Sequence, residues 1–212
     1  QNPGADLNTD NSVNLFALEV RQRTVLAGTE STYLFSGAPG WRTLAGTRSI
    51  YFGEELKSTA FDKEEDFAGT DNEIDRVSIE TDNFLSGVQV GVEGLVEAGD
   101  GVRWGGSLKG GLFVNFASRE RRFSSDNFAA NTLADEIDDT AFAQAVELRP
   151  RLEWDVADGT TLVAGGTVLW INGVSEAASH YAGAADFDDN DVRAEGDVLF
   201  YGGSVGFTFR LN

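Results

Sequence analysis

The residues best suited to bind a metal ion lie in an acidic stretch near the C-terminal end. Asp186, Asp188 and Asn190 have the one-three-five spacing of oxygen ligands in a calcium loop. The sixth position is Asp191, where the sharp turn of such a loop needs glycine. The favoured interpretation is therefore a solvated acidic loop, and the alternative is a loop that binds calcium loosely. We expect no other cofactor.

Histidine chemistry has little support in the sequence. A hydrolase would need a histidine paired with a serine or a carboxylate. The only histidine, His180, stands between Ser179 and Tyr181 in a predicted loop, and the chain has no cysteine. We therefore expect no catalytic residues and no enzyme.

Charged residues recur at every second position, which places them on one face of an extended strand. The run Glu147, Arg149, Arg151, Glu153 mixes both signs. Of the 16 basic residues, 13 are arginine, the residue that suits confined bidentate pairing with carboxylates. The pattern predicts a charge network in the lumen of a barrel, formed by Glu19, Arg21, Arg42, Arg48, Arg103, Lys109, Glu147, Arg149, Arg151 and Glu153.

The elements that would carry these side chains are β-strands with one apolar and one polar face. The C-terminal stretch shows this best, with Leu199, Tyr201, Val205, Phe207 and Phe209 alternating with small or polar residues. The same alternation predicts seven strands, at about 13–23, 41–56, 77–96, 102–116, 142–156, 161–172 and 199–212. Val77 and Ile79 have the opposite parity to the rest of their strand, which predicts a bulge or a change of environment near Asp82.

The connections alternate in length. A turn-rich stretch through Gly28, Gly37, Pro39 and Gly40 is followed by long polar loops at 57–76, 118–140 and 173–196, with tight turns at 97–101 and 158–159 between them. Short turns on one side and long loops on the other are typical of outer-membrane barrels. We assign 13–212 to the barrel and 1–12 to a tail or the remnant of an upstream strand.

The predicted fold class is therefore all-β: an antiparallel transmembrane β-barrel with seven clear strands and about eight or more when complete. Seven is odd, whereas bacterial barrels formed by one chain have even strand numbers. A strand in residues 1–12, strands upstream of the sequence, or another chain would complete the barrel. These three alternatives stay open.

A soluble lipocalin-like barrel also alternates, with its apolar side chains inward. The arginine excess and the mixed charges favour the membrane alternative. Trp41 and Tyr51, ten residues apart on one face, fit an apolar band roughly 25 Å tall. The predicted aromatic girdle comprises Trp41, Tyr51, Trp104, Trp154, Trp170 and Tyr201.

Composition restricts the partners and the location. A net charge of -19 argues against nucleic acid, which needs clustered basic residues. The chain has no methionine, so we expect that a leading segment, such as a signal peptide, has been removed. The chain has no stretch of about 18 apolar residues, so the sequence predicts no transmembrane helix. We expect a bacterial outer-membrane location, with lipid and either further copies or neighbouring surface proteins as partners.

Several short segments also resemble a known family in their order and spacing. They are Glu19, Arg21 and Arg23; Leu44 to Arg48 with Tyr51, Phe52 and Glu54; Thr81 to Phe84 with Gly87, Gln89 and Gly91; Lys109, Gly110, Gly111 and Asn115; Leu169 to Val174; and Tyr201, Gly202 and Gly203. In these the chain resembles the β-barrel porin family known from planctomycetes and the Legionella-type pore-forming outer-membrane proteins. The resemblance implies a porin-like passive pore for small solutes or ions, and a longer N-terminal part. The alternative is a structural or surface-assembly protein with a filled lumen and acidic external loops.

Overall fold

The computed structural model describes residues 17–61, 75–125, 132–181 and 192–210. Nearly all of these residues are extended, because apolar and polar side chains alternate along them. The calcium-type residues Asp186, Asp188 and Asn190 and the predicted tail lie outside the described residues. The strands are β1 (Ala17–Ser36), β2 (Trp41–Phe61), β3 (Asp75–Gly99), β4 (Val102–Ser125), β5 (Thr132–Ala157), β6 (Thr160–Val174) and β7 (Gly196–Phe209).

The seven strands form one antiparallel sheet in chain order, so each strand pairs with its neighbours in the sequence. The sheet is curled into a half-barrel, which confirms the predicted all-β, barrel-type fold and its seven strands. β1 and β7 are the two edges of this sheet. The concave surface of the half-barrel is called the concave face below, and the opposite surface the convex face.

The two faces have inverted polarity compared with a soluble protein. Large apolar side chains such as Val88, Leu112 and Phe142 are exposed on the convex face. The concave face buries charged residues, among them Lys109 and Glu147. Apolar residues outside and charged residues inside are unusual for a chain in water, where burying a charge is costly and ion pairs must compensate.

The first strand is longer than predicted. β1 continues through Gly28 to Ser36 and pairs with β2 without any register shift. Gly28 is therefore not part of a turn, and only residues 37–40 connect the two strands. The prediction was wrong because Thr29 to Ser36 alternate weakly and the glycine resembled a turn signal.

Strands extend into two of the three predicted long loops, and the second of these loops is mostly strand. β2 extends to Phe61 and β3 begins at Asp75, so only 62–74 of the first loop remains, outside the described residues. In the second, β4 extends to Ser125 and β5 begins at Thr132, so the predicted loop at 118–140 is wrong. Charged residues occupy both faces there, so no apolar alternation marked the strands.

The parity change near Asp82 is a change of environment. The pairing of β3 with β2 and β4 shows no register shift at that residue. Ile79 is fully buried on the concave face, next to Leu56 and Ala177. We call the end of the sheet that carries the long connections the loop side. Between Asp82 and the loop side, the apolar residues of β3 thus lie on the concave face.

Cross-strand rows divide the loop side of the convex face into layers. Tyr51, Phe84 and Phe116 are direct cross-strand partners and form an aromatic row. Farther toward the loops come four paired glutamates, and beyond them a row containing three basic residues. The glutamates are Glu55, Glu80, Glu120 and Glu136, and the basic residues are Arg21, Lys57 and Arg122. Ion pairs of Glu55 with Lys57 and of Glu120 with Arg122 offset the repulsion between like charges in the glutamate row.

Candidate lumen site

A buried charge network lies at mid-height on the concave face. Glu147 on β5, almost fully buried, receives a hydrogen bond of 2.8 Å from Arg48 Nη2 on β2. Arg149 Nε lies 2.7 Å from Glu147 Oε1, and Lys109 Nζ lies 4.0 Å from the same oxygen. Three cations therefore surround one carboxylate, which compensates for the loss of its hydration.

The network extends to Glu30 and Thr32 on β1, two residues that were not among the predicted network residues. Lys109 Nζ donates to both carboxylate oxygens of Glu30, at 2.6 and 2.9 Å. Gln89 Nε2 donates to Glu30 at 3.0 Å and to Thr32 at 3.3 Å. Glu30 was not predicted as a network residue because 24–40 was predicted to be a connection. Its position nevertheless has the same parity as Thr32 and Leu34, so the three share one face of β1.

A second group of ion pairs lies toward the short turns. Arg103 donates to Glu153 at 2.9 Å and to both oxygens of Asp155 at 2.9 and 3.0 Å. Arg151 Nη2 lies 2.6 Å from Glu153, and Arg42 Nη2 lies 2.7 Å from Glu93. The structure thus joins eight of the ten predicted network residues to partners on the concave face.

Glu19 and Arg21 do not belong to the network, and their predicted position is wrong. They contact each other at 2.7 Å, with the Arg21 side chain 77% exposed. Glu30 pairs across the strands with Arg48, on the concave face. Because β1 has no register shift and side chains alternate, residues at odd positions point to the convex face.

An apolar layer separates the charge network from the loop side. Ile50, Phe52, Leu85 and Phe113 are nearly inaccessible and form one cluster on the concave face. Phe200 of β7 packs against Phe52, with ring centroids 6.0 Å apart. At this level the concave face is filled by side chains.

The last residues of β6 and the segment after it turn inward and lie on this layer. Asn83 Oδ1 accepts a hydrogen bond of 2.7 Å from the Ser175 N–H, and Asn83 Nδ2 donates to the Ser175 carbonyl at 2.9 Å. Asn115 Nδ2 donates to Asn83 at 2.9 Å and to the Gly173 carbonyl at 2.9 Å. Two fully buried asparagines therefore anchor residues 173–175, and the segment 173–181 is called the inward segment below.

Gly173 has a φ of +85°, and a Cβ at this position would lie 2.4 Å from the Phe142 carbonyl oxygen. Only glycine fits both the left-handed backbone and this close approach.

Carboxylates lie around the next turn of the inward segment. The Ala177 N–H donates to Glu54 at 3.2 Å, and Glu54 also accepts from Gln22 at 3.1 Å and from Thr24 at 3.3 Å. Burial raises the pKa of Glu176, and the nearby Glu54 carboxylate raises it further. The negative charge of Glu176 is therefore poorly stabilised there.

The inward segment ends on a cluster of arginines. His180 Nε2 lies 3.0 Å from Ser175 Oγ, and its Nδ1 lies 3.4 Å from Arg119 Nη1. Arg119 and Arg121 both contact Asp135, at 2.8 and 3.0 Å. These residues were predicted to lie in loops but are on β4, on β5 and in the inward segment. The imidazole faces a guanidinium where a catalytic triad has a carboxylate.

The six predicted girdle residues have the parity of the convex face. Trp41 begins β2, Trp104 is near the start of β4, and Trp154 pairs with Val102 at the short-turn end. Tyr51 lies at the opposite end of the apolar band, where its hydroxyl donates to Asp82. Trp170 Nε1 donates to Asp197 at 3.4 Å, and Tyr201 is largely exposed.

Within the described residues, no group of three or more histidine, aspartate or glutamate side chains is arranged to hold a metal ion. The described part of the chain also contains no helix long and apolar enough to cross a membrane.

No model of a known protein family matches the chain, and no curated protein matches it. The resemblance to the planctomycete-type porins therefore stays a prediction from the residues.

Proposed function

We propose that the described sheet is one wall of a porin-like outer-membrane β-barrel that passes small solutes or ions. The observation that carries this proposal is the inverted polarity of the two faces. Exposed residues such as Val88, Leu112 and Phe142 suit lipid, whereas Lys109 and Glu147 are buried and paired on the concave face. A lipocalin-like barrel would have the opposite arrangement.

Curvature and strand direction support a barrel larger than seven strands. Seven strands occupy only half of a barrel, so the closed form would have about twice that number, which approaches the size of porins with an aqueous channel. β1 and β7 run in the same direction, because the sheet is antiparallel and has an odd number of strands. Antiparallel closure therefore requires an odd number of further strands.

A structural protein with a filled lumen is the second candidate. The inward segment and the cluster of Ile50, Phe52, Leu85 and Phe113 favour it, because both fill the concave face at their level. An open lumen requires that the remaining wall stand away from this filled part.

Planar-bilayer recording of the purified, folded protein distinguishes the two candidates. The pore predicts discrete conductance steps. Insertion into lipid without steps at high protein load would support the structural protein. Failure to bind lipid at all, with a monodisperse protein in detergent-free buffer, would contradict the membrane proposal itself.

A further inference from the structure

An open cavity of about 810 Å³ lies on the concave face, between the charge network and the short turns. Its walls come from β2 to β7 and combine small residues with a few charges. Gly165, Thr167 and Ser204 lie on β6 and β7, next to Arg149 and Arg151 on β5, and Arg42 on β2 also lines the cavity. The small side chains leave room for a solute beside the guanidinium groups.

In this cavity the arginine side chains are more exposed than the carboxylates with which they pair. Each arginine has a carboxylate partner, but Glu147 also pairs with Arg48 and Lys109, and Glu153 also pairs with Arg103. The arginine side chains are 60%, 45% and 52% exposed for Arg42, Arg149 and Arg151. Their partners Glu93, Glu147 and Glu153 are only 29%, 2% and 12% exposed.

Of the charged residues that line the cavity, three are arginine and one is Glu93, a formal charge of 3 − 1 = +2. A chain with a net charge of -19 thus presents a basic surface in this cavity. Guanidinium groups are planar forks that bind oxyanions through paired hydrogen bonds.

We infer that this cavity is a binding site for small oxyanions, such as phosphate or carboxylate solutes. A glutamate contacts each guanidinium, and about half of each arginine side chain stays exposed, so that it can contact a solute in the cavity. A role of this site in solute passage rests on the proposed pore function. Binding itself does not depend on conduction and can be measured separately.

The test measures binding of inorganic phosphate to the detergent-folded protein by titration calorimetry. Arg42→Gln and Arg151→Gln should each weaken binding roughly ten- to hundredfold, the effect of one charge-assisted hydrogen bond. Arg21→Gln, a charge change on the convex face, should leave the affinity unchanged. Ser204→Asp keeps every arginine ion pair, so it should weaken binding without the risk of misfolding that the arginine variants carry.

Phosphate binding that is lost in Ser204→Asp and retained in Arg21→Gln establishes the site. No binding to the parent protein, or equal loss in Arg21→Gln, overturns it. Bilayer recordings in a phosphate gradient separate the two proposals. Binding without conductance steps would contradict the pore and keep the site, whereas conductance without phosphate binding would keep the pore and contradict the site.

Discussion

Asn83 and Ser175 exchange two hydrogen bonds although they are 92 residues apart in the chain. The side-chain amide of Asn83 bonds to both backbone groups of Ser175, as a neighbouring strand would. It therefore holds this residue, the first after β6, against β3. Because both residues are fully buried, no water can substitute for these bonds.

Asn83→Ala should release the inward segment. The substitution leaves the buried Ser175 N–H without an acceptor, at a cost of about 1–3 kcal/mol. Hydrogen exchange of the peptide covering 174–181 should accelerate while the β3 and β4 amides stay protected. Asn172→Ala is the control, because Asn172 lies on the convex face, where it accepts a long bond of 3.4 Å from Gln144. Equal exchange in the two variants would contradict the anchoring role.

Gly173→Ala should destabilise the same segment for a backbone reason. The φ of +85° and the close Phe142 carbonyl oxygen would cost about 1–3 kcal/mol. Gly202→Ala provides the control, since a Cβ there meets no atom within 4 Å. Thermal unfolding in detergent should show a lower Tm for the first variant only.

Glu147→Gln should be the most damaging charge substitution on the concave face. It leaves Arg48, Arg149 and Lys109 around a neutral group, and breaking a buried pair costs about 3–5 kcal/mol. Glu19→Gln makes the same chemical change at an exposed pair and should cost no more than about 1 kcal/mol. Urea unfolding of protein folded into vesicles measures both, and similar midpoints would show that the network contributes little.

Leu148→Arg should impair insertion into lipid. Leu148 is half-exposed in the middle of the convex band, where an arginine costs about 2–4 kcal/mol at the membrane midplane. Ala134→Arg adds the same charge to the same face of β5, in its charged part, and should insert normally. Heat-modifiable mobility after folding into lipid vesicles reports insertion. Normal folding of the Leu148 variant would count against contact with lipid.

Glu176 should make the inward segment more stable at acidic pH. Its pKa in the folded state is raised, so the folded state favours the protonated carboxyl. This stabilisation is complete below the ordinary value of 4.5 and is lost as the pH rises through the raised pKa. Glu176→Gln should therefore have a higher Tm than the parent at neutral pH, and the difference should vanish at acidic pH. A constant difference at every pH would contradict this account.

The sheet could be predicted from the sequence because its middle alternates strictly. Phe142 to Val156 and Leu199 to Phe209 place apolar residues on one face at most second positions, with Gln144 and Gly203 as interruptions, and this pattern specifies strands and their facing. Toward the loops both faces become polar, so Glu120 and Asp135 resembled loop residues although each is paired across strands. Strand pairing there depends on partners far along the chain, which local alternation does not encode.

The candidate site was predictable only in part, for the same reason. Glu147 and Arg149 could be assigned because they follow the clear parity of β5. The contacts of Asn83 with Ser175 and of Lys109 with Glu30 join residues 92 and 79 positions apart and carry no local signal. Asn83 did stand out in the sequence as part of a resembling segment, but without a role.

The long strands place the loop-side ends of the sheet far from the aromatic row. β4 continues for nine residues beyond Phe116, roughly 30 Å of strand, which at a tilt near 40° rises about 23 Å above the aromatic row. In the proposed membrane orientation, with that row at the lipid boundary, the loop-side ends of β3, β4 and β5 would project above the lipid. In that orientation, an epitope inserted after Ser125 would lie clear of the lipid headgroups and within reach of an antibody.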